Sequence, residues 1–138
     1  MQIAGSGLRM NYSQFRTELM SNAALLEGVL RYVQHDGFVL AQLGACNRLH
    51  EVEARLARWL LMVQDRVGGN ELRLTQEFLG QMLGARRSSV NLAAGTLQRS
   101  GVIGYSRGRI HIESREALED VACECYPIIG KLFRELYK

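Results

Sequence analysis

Leu74-Thr75-Gln76-Glu77-Phe78-Leu79-Gly80-Gln81-Met82-Leu83-Gly84 is the stretch on which the fold of this chain turns. Thr75 is a hydroxyl residue placed to cap a short helix, and Phe78, Leu79, Met82 and Leu83 fall on one face of it. Gly84 supplies the left-handed backbone that a tight turn between helices needs and that a β-carbon disfavours. A second helix, roughly Arg87 to Ser100, follows within a few residues. Two short helices joined around a glycine make a helix-turn-helix unit.

The second helix has two distinct faces. With Arg87 at 0°, Val90, Ala93 and Leu97 lie at about 240° to 300°, while Arg87, Ser88, Asn91, Gly95 and Gln98 lie at about 0° to 100°. The polar face holds hydrogen-bonding side chains or glycine and no carboxylate, which suits base edges and phosphates. An ordinary surface helix more often carries Glu and Lys pairs there. Gly95 is expected to let a backbone approach.

Beyond Gly101, Val102-Ile103-Gly104-Tyr105 and Arg109-Ile110-His111-Ile112 alternate in strand fashion about Ser106-Arg107-Gly108, the pattern of a β-hairpin with arginine at its tip. Behind a helix-turn-helix such a hairpin is a wing, and tip arginines can reach phosphate or the minor groove. Ser114 then caps a helix expected to run through about Cys125, and Pro127 starts a last amphipathic helix to Lys138.

On the other side, Val52, Leu56, Trp59, Leu60 and Val63 mark an amphipathic core helix from Val52 to Val67, stopped by Gly68-Gly69-Asn70. From Asn22 to Cys46, Leu26, Val29, Val33, Leu40 and Leu43 fall on spacings of three, four, seven and three, a heptad seam with Asp36 at the missing position. That is a candidate dimerisation helix, although the same stripe could pack on its own domain, and Asp36-Gly37 predicts a kink or break. Residues 1–21 contain Gly5-Ser6-Gly7 and read as a connector followed by a short helix, Tyr12 to Met20, capped by Asn11 or Ser13. The fold expected is mainly α: a long dimerisation helix (22–46) and a winged helix-turn-helix domain (47–138) with a small hairpin wing.

The charge map agrees. The 138 residues carry 17 Lys and Arg against 14 Asp and Glu, a net +3 that decides nothing alone. Between Glu77 and Glu113, however, there is no acidic residue, and Arg86, Arg87, Arg99, Arg107 and Arg109 make that interval +5, leaving the remainder at −2. A segment of this kind is a candidate polyanion-binding face. With 47% hydrophobic residues the chain can bury a core without staples, and an odd count of three cysteines does not require a disulfide framework. A reducing cytoplasm fits that count, and no apolar stretch approaches the roughly 20 residues of a membrane helix.

This order of elements resembles the Crp/Fnr superfamily of bacterial transcription regulators, most specifically in His50-Glu51-Val52-Glu53-Ala54-Arg55-Leu56-Ala57-Arg58-Trp59-Leu60, in Leu74-Thr75-Gln76-Glu77-Phe78-Leu79 with Gly84, and in Arg87-Ser88-Ser89-Val90. The resemblance runs from about Leu8 to Tyr126. It implies a sensor β-roll, a dimerisation helix and a winged helix-turn-helix that binds a palindromic operator. Here residues 1–21 look like the last remnant of the sensor, so the chain reads as a fragment or a truncated member. Arg87 matches a base-reading Arg of one branch, Ser88 replaces the usual Glu, and Asn91 and Leu92 take the other reading positions, Leu92 departing from the family's Arg. The operator implied differs from those of the founding members. Arg87, Ser88 and Asn91 are the expected base contacts, since Arg to guanine and Asn to adenine are the favoured bidentate pairs. Thr75, Gln76, Arg86, Ser89, Arg99, Arg107 and Arg109 are the expected phosphate contacts.

Catalytic and cofactor signals fail on spacing. His50-Glu51-Val52-Glu53-Ala54 lacks the second histidine of a zinc protease, and Gly5-Ser6-Gly7-Leu8-Arg9-Met10 lacks the third glycine of a dinucleotide loop. Cys123 and Cys125, two apart on an expected helix, would point about 200° apart, and His35, His50 and His111 lie on separate elements, so neither metal nor cofactor is expected. Cys46 reads as packed, with redox sensing the other use of such a residue. Without the β-roll, and with Leu40 and Ala41 where a polar pair would face the base, no cyclic nucleotide is expected. The function expected is a non-enzymatic, homodimeric regulator binding double-stranded DNA, with RNA polymerase as the further partner the class implies. The alternative is a truncated module that dimerises with full-length relatives and modulates them.

Overall fold

The computed structural model describes residues 6–136. Among these, seven helices surround a small antiparallel sheet. They run α1 (Tyr12–Ser21), α2 (Ala23–Leu49), α3 (Val52–Val67), β1 (Glu71–Arg73), α4 (Gln76–Leu83), α5 (Arg87–Arg99), β2 (Ile103–Ser106), β3 (Arg109–Ile112), α6 (Arg115–Val121) and α7 (Cys125–Leu136). Gly5 and the expected helix end at Lys138 lie outside the described residues.

Local chemistry explains most of these boundaries. The side chains of Asn11, Asn22, Thr75 and Ser114 each accept a backbone N–H in the first turn of α1, α2, α4 and α6 respectively. Gly68 and Gly84 end α3 and α4 at φ 72° and 56°, where a β-carbon would be strained. α2 passes through Asp36-Gly37 as one continuous helix, so the expected break is absent. Glycine's penalty of about 1 kcal/mol is outweighed by the tertiary contacts further along α2.

The main core is aliphatic. Leu56, Leu60 and Leu61 of α3 are fully buried against Leu79 and Leu83 of α4, Val90 and Leu97 of α5, Ile103, Ile110 and Ile112 of the sheet and Leu118 of α6. Each such side chain contributes about 1.5–3 kcal/mol by leaving water. Arg55, 6% exposed, is tolerated inside because its guanidinium donates to the Leu83 carbonyl, one of the orphan acceptors at the end of α4.

The sheet has the order β1-β3-β2. The hairpin is the expected wing, with Ser106 opposite Arg109 and a tip whose two residues, Arg107 at φ 49° and Gly108 at φ 76°, both adopt the left-handed backbone of a tight hairpin turn. β1 was not expected from sequence. Three residues are too few for a period, and β1 exists only by pairing Glu71, Leu72 and Arg73 with His111, Ile110 and Arg109.

The C-terminal part departs from expectation. The helix that Ser114 starts ends at Val121, not near Cys125, and Cys123 lies in the break before α7. Pro127 stands in the first turn of α7 rather than at its first residue. With no N–H to return to Cys123 and a ring that crowds that carbonyl, Pro127 forbids one continuous helix through the junction. α7 packs on α2, enclosing a second, smaller core of Val39, Cys46, Cys123, Cys125 and Ile129.

Candidate nucleic-acid interface

The helix-turn-helix places the start of α5 at the protein surface. Val90, Ala93, Ala94 and Leu97 are buried in the main core, and that anchoring turns Arg87, Ser88 and Asn91 outward to solvent. Arg86 is the N-cap of α5 but makes no side-chain capping bond, so its guanidinium remains available in front of the helix's positive end. Ser89 is half-buried beside it.

Thr75, Gln76, Arg87 and Arg107 line one open groove together with Glu77, Tyr105 and Gly108. The groove joins the first helix of the motif, the second helix and the wing tip, so four residues expected to meet DNA share one surface. Arg109 lines the opposite flank of the wing with Gln98, Ser106 and Arg107. Arg99 is the outlier. It sits at the far end of α5, donates to Thr96 Oγ1 at 3.1 Å and folds back over Gly95, whose added β-carbon would lie 3.3 Å from its guanidinium. The Arg99 side chain thus lies over Gly95, and a backbone approaching there displaces it.

Two contributors were missed from sequence. Tyr105 lines both flanks of the wing, its phenol raised by burial and facing the Arg87 charge and the Gln76 backbone amide, which pull the other way. Its place in an alternating strand marked it only as a hairpin residue. Glu71 reaches the outer flank because β1 pairs with β3, and His111 Nδ1 meets its carboxylate at 2.7 Å and faces Glu113 at 3.8 Å through Nε2. The arginine-rich interval is acid-free along the chain but has carboxylates at the base of the wing in space. Its positive charge is concentrated at the tip and at the start of α5.

The expected seam residues divide. Leu26, Val33 and Leu40 are 36%, 59% and 60% exposed, Val29 is half-buried, and Leu43 packs on the smaller core. The stripe α2 turns toward α7 is a different one, His35, Val39, Gln42 and Cys46, about 140° round the helix from the seam. His35 stacks on Phe133 at 4.8 Å between centroids.

Side chains expected to be unrelated also converge. Cys46 near the end of α2, His50 at its C-cap, Cys123 in the α6–α7 break and Cys125 at the start of α7 bring their ligand atoms within 4.8 Å of one another. Placement on separate elements did not keep them apart, because α2 lies along α7. Burial pushes the Cys46 thiol up, but the His50 hydrogen bond, the Arg58 charge and the neighbouring thiols bring it below its ordinary value. Cys123 is pushed up to about 12 by burial and by Cys46. His50 is raised by its hydrogen bond with Cys46 and by Glu124, against the effect of burial.

The architecture is that of a winged helix-turn-helix DNA-binding domain. Residues 54–121 match the Crp-like helix-turn-helix domain, and the chain carries a Crp/Fnr-family DNA-binding domain of the kind found in transcription regulators, a typically non-enzymatic family. Solved structures agree over about four fifths of the chain. A Crp/Fnr-family transcriptional regulator from Eubacterium rectale is 24% identical at a TM-score of 0.64, covering 79% of this chain and 51% of that one. FixK2 from Bradyrhizobium japonicum is 22% identical at 0.55, covering 80% and 53%. A CooA mutant from Carboxydothermus hydrogenoformans is 15% identical at 0.66, covering 80% and 54%. The chain thus spans about half the length of these structures, and at such identities the likeness is one of fold. No curated protein matches it by sequence. Among the described residues no helix is long and apolar enough to cross a membrane.

Proposed function

We propose that this chain is a homodimeric, sequence-specific transcription regulator that reads an inverted-repeat operator with the first turns of α5. The observation that carries the reading is the shared groove of Thr75, Gln76, Arg87 and Arg107, with Ser88 and Asn91 exposed on the same helix. In a major groove Arg87 pairs with guanine and Asn91 with adenine, and Ser88 takes either kind of partner. Leu92, 70% exposed, offers the apolar contact that suits a thymine methyl. Thr75, Gln76, Arg86, Ser89, Arg107 and Arg109 hold phosphates and set the register, and Arg99 joins them once its guanidinium leaves Thr96.

The exposed seam Leu26, Val33 and Leu40 supports pairing of two α2 helices. A two-fold dimer sets its two α5 helices in successive major grooves about 34–36 Å apart. No enzymatic role is proposed.

Selection from a random duplex library, retested at two salt concentrations against shuffled DNA, tests this directly. The expected product is an inverted repeat with centres about 10 base pairs apart. Arg87→Ala is expected to cost about 1–3 kcal/mol on that site and to relax one base position, while Arg107→Ala weakens all sequences alike and flattens the salt slope. Equal losses on operator and shuffled DNA for both variants would refute base reading by Arg87. Light scattering on the chain alone and mixed with a full-length relative separates a homodimer from a module that pairs with relatives.

A further inference from the structure

We propose that Cys46, His50, Cys123 and Cys125 form a four-coordinate Zn²⁺ site that fastens the end of α2 to the α6–α7 junction. All four lie outside residues 54–121, the part that matches the family domain, so the site is an addition of this chain to the helix-turn-helix rather than one of its usual parts. The inference is independent of the operator reading.

The donor set comes first. Three thiols and one imidazole are a set zinc takes in closed structural sites, and no oxygen ligand is needed. The spacing agrees. With Zn–S near 2.3 Å and Zn–N near 2.0–2.1 Å, a tetrahedral ion holds two sulfurs about 3.8 Å apart and a sulfur and a nitrogen about 3.6 Å apart. Cys46 Sγ lies 3.5 Å from Cys123 Sγ, and Cys125 Sγ lies 3.6 Å from His50 Nδ1. An iron–sulfur cluster spreads its protein ligands over at least two irons, and ligands of different irons lie farther apart than the 4.8 Å within which all four of these atoms fall.

The surroundings are those of metal ligands. His50 Nε2 lies 3.0 Å from Glu124 Oε1, so the ring donates its Nε2–H to the carboxylate and keeps the Nδ1 lone pair facing the thiols, the carboxylate–histidine arrangement that fixes a ligating tautomer. Gln42 Nε2 donates to Cys125 Sγ at 3.1 Å, an arrangement that favours thiolate. Cys46, Cys123 and Cys125 are 0%, 6% and 1% exposed, so no coordination position opens to solvent and the site is structural. One divalent cation with three thiolates carries a net charge of −1. Arg58, 2% exposed, acts on Cys46 as a nearby positive charge and has no partner at Nε among the described residues. An anionic centre would supply the counter-charge that a buried guanidinium otherwise lacks. Loading moves no electrons: the three thiol protons leave to solvent, and four metal–ligand bonds form.

Topology gives the site its consequence. Cys46 and His50 are one helical turn apart at the end of the element that bears the seam, whereas Cys123 and Cys125 lie at the junction just after α6, the helix that closes the matched helix-turn-helix domain. The ion therefore sets the angle between the proposed dimer helix and α5.

The test uses the full chain, produced with zinc in the medium and purified without chelator. Elemental analysis is expected to find one zinc per chain. Replacement by Co²⁺ is expected to give tetrahedral d–d bands and thiolate-to-cobalt charge transfer. Cys125→Ser and His50→Gln are each expected to lower zinc affinity more than tenfold, whereas Arg87→Ala retains the metal. Because the stoichiometry is read on the unaltered protein, a variant that fails to fold leaves the test intact. A folded wild-type chain that binds no stoichiometric zinc and gives no cobalt charge transfer overturns the proposal. So does a native Cys46–Cys123 disulfide in peptide mapping, or iron–sulfur absorption in the purified protein.

Discussion

The molecule holds two cores of opposite character. The one beneath the helix-turn-helix is built from Leu, Ile and Val on α3, α4, α5, the sheet and α6, and twelve or more of its residues are essentially out of water. The one between α2 and α7 has five buried members, three of them cysteines, and it borders on His35, whose ring nitrogens have no hydrogen-bond partner among the described residues. Aliphatic packing is non-directional and sums with area, so the first core specifies a rigid platform for α5 without special chemistry. The second is too small to be held by area alone, and its polar atoms have to be satisfied by specific partners. A fold can thus delegate recognition to a region that is stable by default and orientation to a region stable only under particular chemistry.

Truncation of a central side chain in each core breaks this comparison most directly. Leu60→Ala, at a fully buried position of α3, is expected to cost about 2–5 kcal/mol in urea denaturation, because the surrounding leucines and isoleucines cannot close the space. Ile129→Ala, 1% exposed in the small core, is expected to fall at the low end of that range, about 2 kcal/mol. Its neighbours Leu43, Leu132 and Phe133 are only partly buried and can relax over it. Equal costs would mean that the small core is packed as unyieldingly around Ile129 as the main core is around Leu60.

How much of this was legible in the sequence follows the same division. The aliphatic core announced itself through periodicity, and the helix ends through Thr75, Gly68, Gly84 and Ser114, whose side chains or backbone act within one turn of their own position. Arg87, Ser88 and Asn91 could be placed on an outward face by angle alone. The three-residue strand β1 could not, since its only stabilisation is a partner strand almost forty residues further on, and Glu71 was therefore not expected beside His111. The break at Cys123 had a local signal in Pro127, whose ring acts on the carbonyl four residues back, but that signal reads as a helix start unless the preceding turn is counted. The cysteine–histidine cluster had no local signal at all. Its members sit 77 positions apart in the pair Cys46 and Cys123, and only the docking of α2 on α7 brings them together.

The seam gives a second way to sharpen the comparison, now between the two faces of α2. Leu40→Lys replaces a side chain 60% exposed in the single chain, so its fold is expected to persist, with unchanged helix content and melting at low concentration. In the dimer the same ammonium enters an apolar seam, and the dissociation constant is expected to rise at least tenfold, about 1.4 kcal/mol, by sedimentation or light scattering. Unchanged association would move the dimer contact off the seam.

The smallest expected effect concerns the half of α2 that α7 does not reach. Gly28 has nothing within 4 Å of an added β-carbon, and it lies on the side of α2 away from Leu26 and Val33. Gly28→Ala therefore meets neither the chain itself nor a partner across the seam, and it acts on the helix alone. If α2 is continuous before any partner arrives, the substitution is expected to raise stability by about 0.5–1 kcal/mol through the entropy glycine loses on becoming helical. A thermal melt at low protein concentration measures this. A gain that appears only at concentrations where the chain dimerises would show that residues 23–34 become helical on association. The seam would then form by coupled folding and binding, its affinity reduced by the ordering cost, while the half of α2 below His35 stays helical through its contacts with α7.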